Sequence, residues 1–188
     1  MKADLHNHSY FSDGVLSPRD VVKLASEAKC DLFSLTDHDT TDGIAEAQLE
    51  ADKLNLNLIN GVEISAFWRN MAIHILGLGI DINNDILQTG LEHNQKLRKE
   101  RAEKIALGLW RSGIKDALEK TQSFSKTDML TRTHFAQMLI SEGYCKDMKS
   151  VFRRYLTGKK PGGVRVEWED FNEVVHWIHA AGGKAFIA

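Results

Sequence analysis

Between Lys2 and Asp81 short apolar runs alternate with amphipathic stretches, and this rhythm constrains the fold more than any other feature. "KADLHNH" at residues 2–8 suits a short strand. "SPRDVVKLASEA" reads as a helix, with Ser17 at the N-cap, Pro18 at the first helical position and Asp20 favoured by the N-terminal dipole. "CDLFSLTDHDT" is an apolar run ending in polar residues, the pattern of a buried strand whose C-terminal end carries function. "TTDGIAEAQLEADKLN" is the next helix, capped by Thr41 or Asp42, and "LNLINGVEIS" and "MAIHILGLGID" are two further strands. Strand, helix, strand, helix, strand at this spacing predicts an α/β fold with mainly parallel strands.

The rhythm breaks after Asp81. "NNDILQTGLEHNQKLRKERAEKIALGLWRSG" is long and helical, with Leu87, Leu91, Leu97, Ile105 and Leu109 among its apolar positions. "TRTHFAQMLISEGY" is a second helix stopped by Gly143, and "DMKSVFRRYLTG" a third stopped near Gly158. Residues 83–158 therefore read as a helical insertion in an α/β domain made of residues 1–82 and 159–188. In the second stretch "GGVRVEW" is a strand or extended connection, "EDFNEVVHWIHAAGG" a helix and "KAFIA" a strand. At 188 residues and 43% hydrophobic, the chain can bury one sizeable core. A formal charge of −2 argues against a nucleic-acid coat or a membrane-surface protein, so any nucleic-acid contact must be local. Cys30 and Cys145 have no metal-like or redox-like spacing and read as reduced and cytosolic. No apolar run approaches the ~20 residues a spanning helix needs, and the start has no signal-peptide pattern.

In a strand, period-two alternation puts His6 and His8 on one face, about 7 Å apart, where each neutral imidazole can bind a metal ion. Asp13 follows in a loop that Gly14 allows to turn. Alone, H-x-H arises often by chance. Three later stretches add to it: Asp37, His38 and Asp39 end the second strand, Glu63 lies in "GVEIS", and His74 sits among apolar residues in "AIHILG". Singly, His38 could be a turn residue, Glu63 a lysine's partner and His74 a satisfied core histidine. Together, four successive strands bring ionisable residues to or near one end, and in parallel α/β folds sites assemble at the carboxyl end. Unpaired buried Glu or His is costly, and a shared metal cluster offsets those costs together. The candidate ligands are His6, His8, Asp13, His38, Glu63 and His74, four imidazoles and two carboxylates with no thiolate. This set suits Mn²⁺, Fe²⁺ or Zn²⁺ better than Ca²⁺ or a structural cysteine-type zinc site. Six ligands are too many for one ion with open positions, and Glu63 can bridge two ions. Multi-metal sites of this kind suit phosphoester hydrolysis.

With these residues in order, the sequence resembles the PHP (polymerase and histidinol phosphatase) family of metal-dependent phosphoesterases. "DLHNHSYFSDG", "TDHDT", "GVEIS" and "IHILGLGID" look like its successive motifs, and the resemblance covers essentially the whole chain. It implies a distorted (β/α)7 barrel with a trinuclear site at the strands' C-terminal ends. Mn²⁺ is the expected ion, two or three per site, with Fe²⁺ or Zn²⁺ as alternatives. The helical insertion is similar to the branch holding nucleoside 3′,5′-bisphosphate phosphatases and 5′-to-3′ exoribonucleases, where it serves as a lid that holds substrate phosphate. In that reading Arg98 and Arg101, three apart on one helix face, and Arg132 and His134, at the start of the next helix, bind phosphate. The family usually has Pro where this chain has Thr133. "TGKKPGG", with Lys159 and Lys160, reads equally as a mobile basic loop near substrate or as a solvated loop.

The family continues past "KAFIA" with a His-Pro and later an Asp-x-His that complete the site. A sequence ending at Ala188 therefore reads as a fragment with a truncated barrel, and His176 and His179 match no ligand motif. The expected protein is a cytoplasmic phosphoesterase acting on a small nucleotide or short oligonucleotide, with no membrane association and no stable protein partner. Full catalysis is expected to require the missing part. The alternatives are a histidinol-phosphate phosphatase, against which the helical lid argues by analogy, and a non-catalytic, metal-stabilised binding module.

Overall fold

Ser17 Oγ accepts a hydrogen bond from the Asp20 backbone N–H at 3.0 Å and opens the first helix, α1 (Pro18–Glu27), with Pro18 in the first turn as expected. The computed structural model describes residues 1–188 and divides into two units, Met1–Gln95 with Glu167–Ala188, and Lys96–Val166. No helix is long and apolar enough to cross a membrane, and both cysteines are free.

In the first unit, β1 (Ala3–Asp4), β2 (Leu32–Phe33) and β3 (Asn57–Leu58) form a parallel sheet in that order, with Ala3 opposite Leu32 and Leu32 opposite Asn57. α1 and α2 (Ile44–Leu54) supply the crossovers. They close a core that includes Val22, Phe33, Leu35, Ala47 and Ala51. Two local expectations are corrected. The strand expected over residues 2–8 spans only Ala3–Asp4, so both His6 and His8 lie beyond it. α2 is not capped by Thr41 or Asp42: its N-cap is Gly43, with no side-chain cap bond. The Thr41 hydroxyl instead accepts a hydrogen bond from the Gln88 side-chain amide at 3.0 Å.

The expectation of mainly parallel strands is also corrected. The stretch "LNLINGVEIS" breaks at residues 59–60 into β3 and β4 (Gly61–Trp68), and β4 turns back directly into β5 (Met71–Leu78). The pair is antiparallel, Gly61 opposite Leu78 through to Trp68 opposite Met71, and β6 (Lys184–Ile187) adds antiparallel to β5. Arg69 and Asn70 at the hairpin tip both have left-handed φ, 45° and 66°, the turn form whose twist matches that of two joined strands. Asparagine favours this conformation and arginine does not, so the turn signal is weak. The architecture is thus mixed α/β, two three-stranded sheets with no closed sheet.

β4 is the organising strand. Val62, Ile64 and Ala66 join an apolar core with Ile75, Leu87 and, from α7 (Phe171–Ala180), Val174 and Ile178. Glu63 and Ser65, one residue out of phase, therefore turn to the opposite face and are buried there too.

α3 (Asp85–Arg111) is the expected long helix, and the division into units falls within it. The second unit adds α4 (Ala117–Gln122), α5 (Arg132–Ser141), α6 (Met148–Val151) and a π-helical turn, Phe152–Leu156. Gly143, at φ +78°, ends α5 as expected. Ile105, Leu109, Phe135, Met138, Leu139 and Leu156 centre this unit's core. A Cβ at Gly108 would run into the Pro161 carbonyl oxygen, so only glycine allows this close approach.

Candidate metal centre

Backbone pairing places the candidate ligands before any side chain is considered. Asn7, between His6 and His8, takes a hydrogen bond on its carbonyl from the Thr36 N–H at 2.9 Å and donates its own N–H to Thr36 Oγ1 at 3.1 Å. The segment is thereby tied to the chain leaving β2. Two residues on, His38 bridges to Glu63, with the Asp39 N–H donating to the Glu63 carbonyl at 2.8 Å and the Glu63 N–H to the Asp37 carbonyl at 3.1 Å. His74 stands opposite Ser65 on β5, on the same sheet face as Glu63. The loop carrying Asp13 folds back through Ser12 N–H and Gly14 N–H bonds to the Ser9 carbonyl, and a Cβ at Gly14 would collide with the His8 carbonyl.

All six candidate ligands meet. Glu63 Oε2 lies 3.1 Å from His6 Nε2, from His8 Nε2 and from His38 Nδ1, and Oε1 lies 2.7 Å from His74 Nδ1. Asp13 Oδ1 sits 3.8 Å from His8 Nδ1 and 3.9 Å from His38 Nε2. The donors fall into three triads, His6–His8–Glu63, His8–Asp13–His38 and His38–Glu63–His74, each with all its donor atoms within 4.8 Å. His8, His38 and Glu63 each belong to two triads; of these the Glu63 carboxylate, with two oxygens, can bridge two ions, whereas a neutral imidazole can ligate only one.

Electrostatics follow this geometry. Burial alone would raise the Glu63 carboxyl, but hydrogen bonds from His74 and His8 and the charges of His38 and His74 hold it far below the usual carboxylate range. Burial would lower His8, but the Glu63 hydrogen bond and the Asp13, Glu63 and Asp37 charges outweigh it and raise the imidazole. A buried carboxylate oxygen ringed by imidazole nitrogens fits a divalent cation. Two ligand atoms, each about 2.1 Å from one ion at right or tetrahedral angles, stand roughly 3.0–3.4 Å apart, which is the 3.1 Å spacing of Glu63 Oε2 from His6, His8 and His38. Imidazole and carboxylate without thiolate match the chemistry of Mn²⁺, Fe²⁺ and Zn²⁺.

Sequence reasoning missed the polar frame behind these ligands. The buried Asp37 carboxylate accepts from Ser9 N–H (2.7 Å), Ser9 Oγ (2.6 Å) and Ser12 Oγ (2.6 Å), which fixes the loop between His8 and Asp13. Its own carboxyl is raised by burial against these bonds. Asp39, in the left-handed region at φ 51°, accepts from Ser65 N–H (2.8 Å), Ser65 Oγ (2.9 Å) and Asn94 Nδ2 (2.9 Å). The available signal was the pair of aspartates flanking His38, with serines three apart in "SYFSDG"; short polar residues next to a glycine read first as turn formers. The same-face argument for His6 and His8 is likewise replaced, because they meet through the Asn7–Thr36 pairing beyond β1.

The four candidate phosphate-binding residues lie in the Lys96–Val166 unit. Arg98 and Arg101 are nearly buried on α3. The Arg132 guanidinium lies 5.8 Å over the Phe152 ring, and its pKa is lowered by burial and by the nearby Arg98 charge. His134 helps to build its own helix. Its Nδ1 accepts the Thr131 N–H at 3.2 Å while Thr131 Oγ1 accepts the His134 N–H, a reciprocal cap on α5. That bond leaves the ring proton of the neutral imidazole on Nε2.

Residues 4–185 match the PHP domain model, and the chain belongs to the PHP-domain family. Among curated relatives it is 42% identical over 186 residues to a 3′,5′-nucleoside bisphosphate phosphatase of Chromobacterium violaceum, covering 98% of this chain and 65% of the relative. It is 41% identical over 187 residues to the 5′-3′ exoribonuclease Rnm of Escherichia coli (strain K12), covering 98% of this chain and 64% of that protein. The chain thus spans about two thirds of the length of these relatives. A solved Chromobacterium violaceum amidohydrolase with bound sulfate and no metal superposes with a TM-score of 0.96 at 41% identity, over 100% of this chain and 66% of that one. A Bifidobacterium adolescentis protein at 23% identity, with a TM-score of 0.92 over 99% of this chain and 66% of that one, shares the fold.

Proposed function

We propose that the chain carries the metal centre of a phosphoesterase that hydrolyses phosphate monoesters or diesters of nucleotides or short oligonucleotides. The observation that carries this reading is the Glu63 carboxylate ringed by His6, His8, His38 and His74 at 2.7–3.1 Å. In this reading those residues and Asp13 hold two or three divalent ions, Mn²⁺ first, with Fe²⁺ or Zn²⁺ as alternatives. Bound ions in such a site bind phosphate oxygens, lower the pKa of water and stabilise the leaving oxygen. The chain's own contribution is to hold the donors in place. Glu63 keeps its negative charge between the imidazoles, and Asp37 and Asp39 immobilise the loop and strand that present them. Arg98, Arg101, Arg132 and His134 would bind substrate phosphate, the arginines by forked hydrogen bonds and His134 through its Nε2–H.

The names of the relatives, a nucleoside bisphosphate phosphatase and 5′-3′ exoribonucleases, support the choice of a nucleotide substrate. Family membership likewise supports reading the two sheets as part of a distorted (β/α)7 barrel, with residues 83–158 as its helical insertion, in a cytoplasmic protein. With Mn²⁺ added, the full-length protein should release phosphate from 3′-phosphoadenosine 5′-phosphate or nucleotides from short 5′-phosphorylated RNA. Absence of hydrolysis of any phosphoester across a panel of divalent metals would reject the enzyme reading. Tight binding of two or three ions without turnover would favour a metal-stabilised binding module instead.

A further inference from the structure

Residues 144–160 of the second unit carry six cations, Lys146, Lys149, Arg153, Arg154, Lys159 and Lys160, against one acid, Asp147, in a chain whose formal charge is −2. All six cations are exposed. Asp147 accepts the Ser150 N–H at 2.7 Å and caps α6, and with its charge counted the segment still carries five excess positive charges. Lys149 and Arg153 stand four residues apart, across the passage from α6 into the π-helical turn.

Of the six, Arg154 is held by its neighbours. Arg154 donates to the Tyr144 carbonyl oxygen at 3.2 Å, and its guanidinium lies 5.4 Å from the Tyr155 ring. Tyr144, exposed, and Tyr155, half-buried, meet edge to face at 6.5 Å. The Lys159–Lys160 loop is closed by three backbone bonds: Gly162 N–H to the Tyr155 carbonyl (2.7 Å), Lys160 N–H to Thr157 (3.3 Å) and Gly163 N–H to Lys160 (2.9 Å). Its Pro161 carbonyl rests on Gly108, and a Cβ at Gly162 would press on Leu156 and Ile105. The Lys159–Lys160 loop, read from the sequence as mobile near substrate or as solvated, has both lysine side chains exposed. π-helical turns are frequent at functional positions, and this one carries Arg153 and Arg154, both exposed.

A concentration of like charge is unfavourable in the free protein and is relieved by a polyanion, whose released counterions add to affinity. Cations with an exposed aromatic ring are the combination that binds single strands, since every unpaired base has a face to stack. We propose that residues 144–160 form a binding surface for single-stranded nucleic acid, the cations following the phosphate backbone and Tyr144 stacking a base. The choice of ligand rests on the nucleotide-phosphoesterase reading and deepens it, because such a surface serves only a substrate longer than one nucleotide.

The test measures fluorescence anisotropy of a labelled short single-stranded RNA, in EDTA to prevent hydrolysis, over a range of salt. The double variant Lys149→Glu/Arg153→Glu should bind at least about tenfold more weakly and lower the salt slope by about two. Tyr144→Ala should weaken binding about fivefold or more with the slope unchanged. Both should keep the wild-type circular dichroism and the wild-type rate on a nucleoside bisphosphate with Mn²⁺. Wild-type RNA affinity in the charge-reversal variant, or equal wild-type affinity for a duplex of the same length, would overturn the proposal. Turnover of the bisphosphate without RNA binding sinks this inference alone. RNA binding lost in the variants but no turnover upholds the surface and sinks the enzyme reading.

Discussion

The two units bury opposite charge. In Met1–Gln95 with Glu167–Ala188, the deeply buried ionised groups are carboxylates: Asp37, Asp39 and Glu63 are 2%, 0% and 3% exposed. In Lys96–Val166 they are Arg98 and Arg101, at 4% and 8%. A buried charge persists only where partners, a metal or a ligand compensate it. In the proposed reading the two units serve ligands of opposite sign. The first would hold divalent cations through Glu63 and its imidazoles, and the second would bind substrate phosphate.

Changes at Glu63 test the contrast hardest. Glu63→Gln replaces the shared oxygen with an amide and removes the charge facing the imidazoles. It should abolish tight metal binding and lower phosphoester turnover by at least about a thousandfold. Metal content by mass spectrometry, alongside the rate, checks this; unchanged metal content would mean that Glu63 is a structural carboxylate.

Asp37→Asn asks whether the frame matters as well as the ligands. An amide cannot accept from all three of the Ser9 and Ser12 donors, so the His8–Asp13 loop loosens. Metal affinity should fall about 10–100-fold, the usual cost of disturbing groups that orient ligands. A titration with Mn²⁺ that matched wild type would assign Asp37 to folding alone.

In the other unit, Arg132→Ala should raise KM about tenfold, with metal content unchanged. A change confined to metal content would break the division of labour. Arg132→Lys should recover only part of the loss, because an ammonium cannot form the guanidinium fork.

The smallest effect is on pH dependence. In the metal-free protein His8 is raised above its ordinary 6.5, so its stabilising contribution is complete below that pH and is lost as pH rises through the raised value. Glu63 is depressed, so its contribution is present above its ordinary 4.5 and is lost as pH falls toward the lowered value. Metal binding needs neutral imidazoles and therefore strengthens as pH rises. The difference in Tm between Mn²⁺-loaded and EDTA-treated protein should be larger at pH 8 than at pH 6, by a few degrees. An equal difference at both would disconnect the ion from the histidines.

The sequence by itself determined which residues meet. His6, His8, Asp13, His38, Glu63 and His74 were legible because imidazoles and carboxylates at the ends of apolar runs have few other uses, and the four motifs occur in family order. It also determined α1 from Ser17 and Pro18, the end of α5 at Gly143 and the long helix α3, all local signals. Only the tertiary structure decided how these residues meet. The β4–β5 hairpin turns on Arg69–Asn70, where arginine masks the turn, and apolar alternation is the same in parallel and antiparallel strands. The Asp37 and Asp39 frames were hidden because each joins residues 25 or more apart in the chain. A short polar side chain declares its role only when folding brings its donors to it.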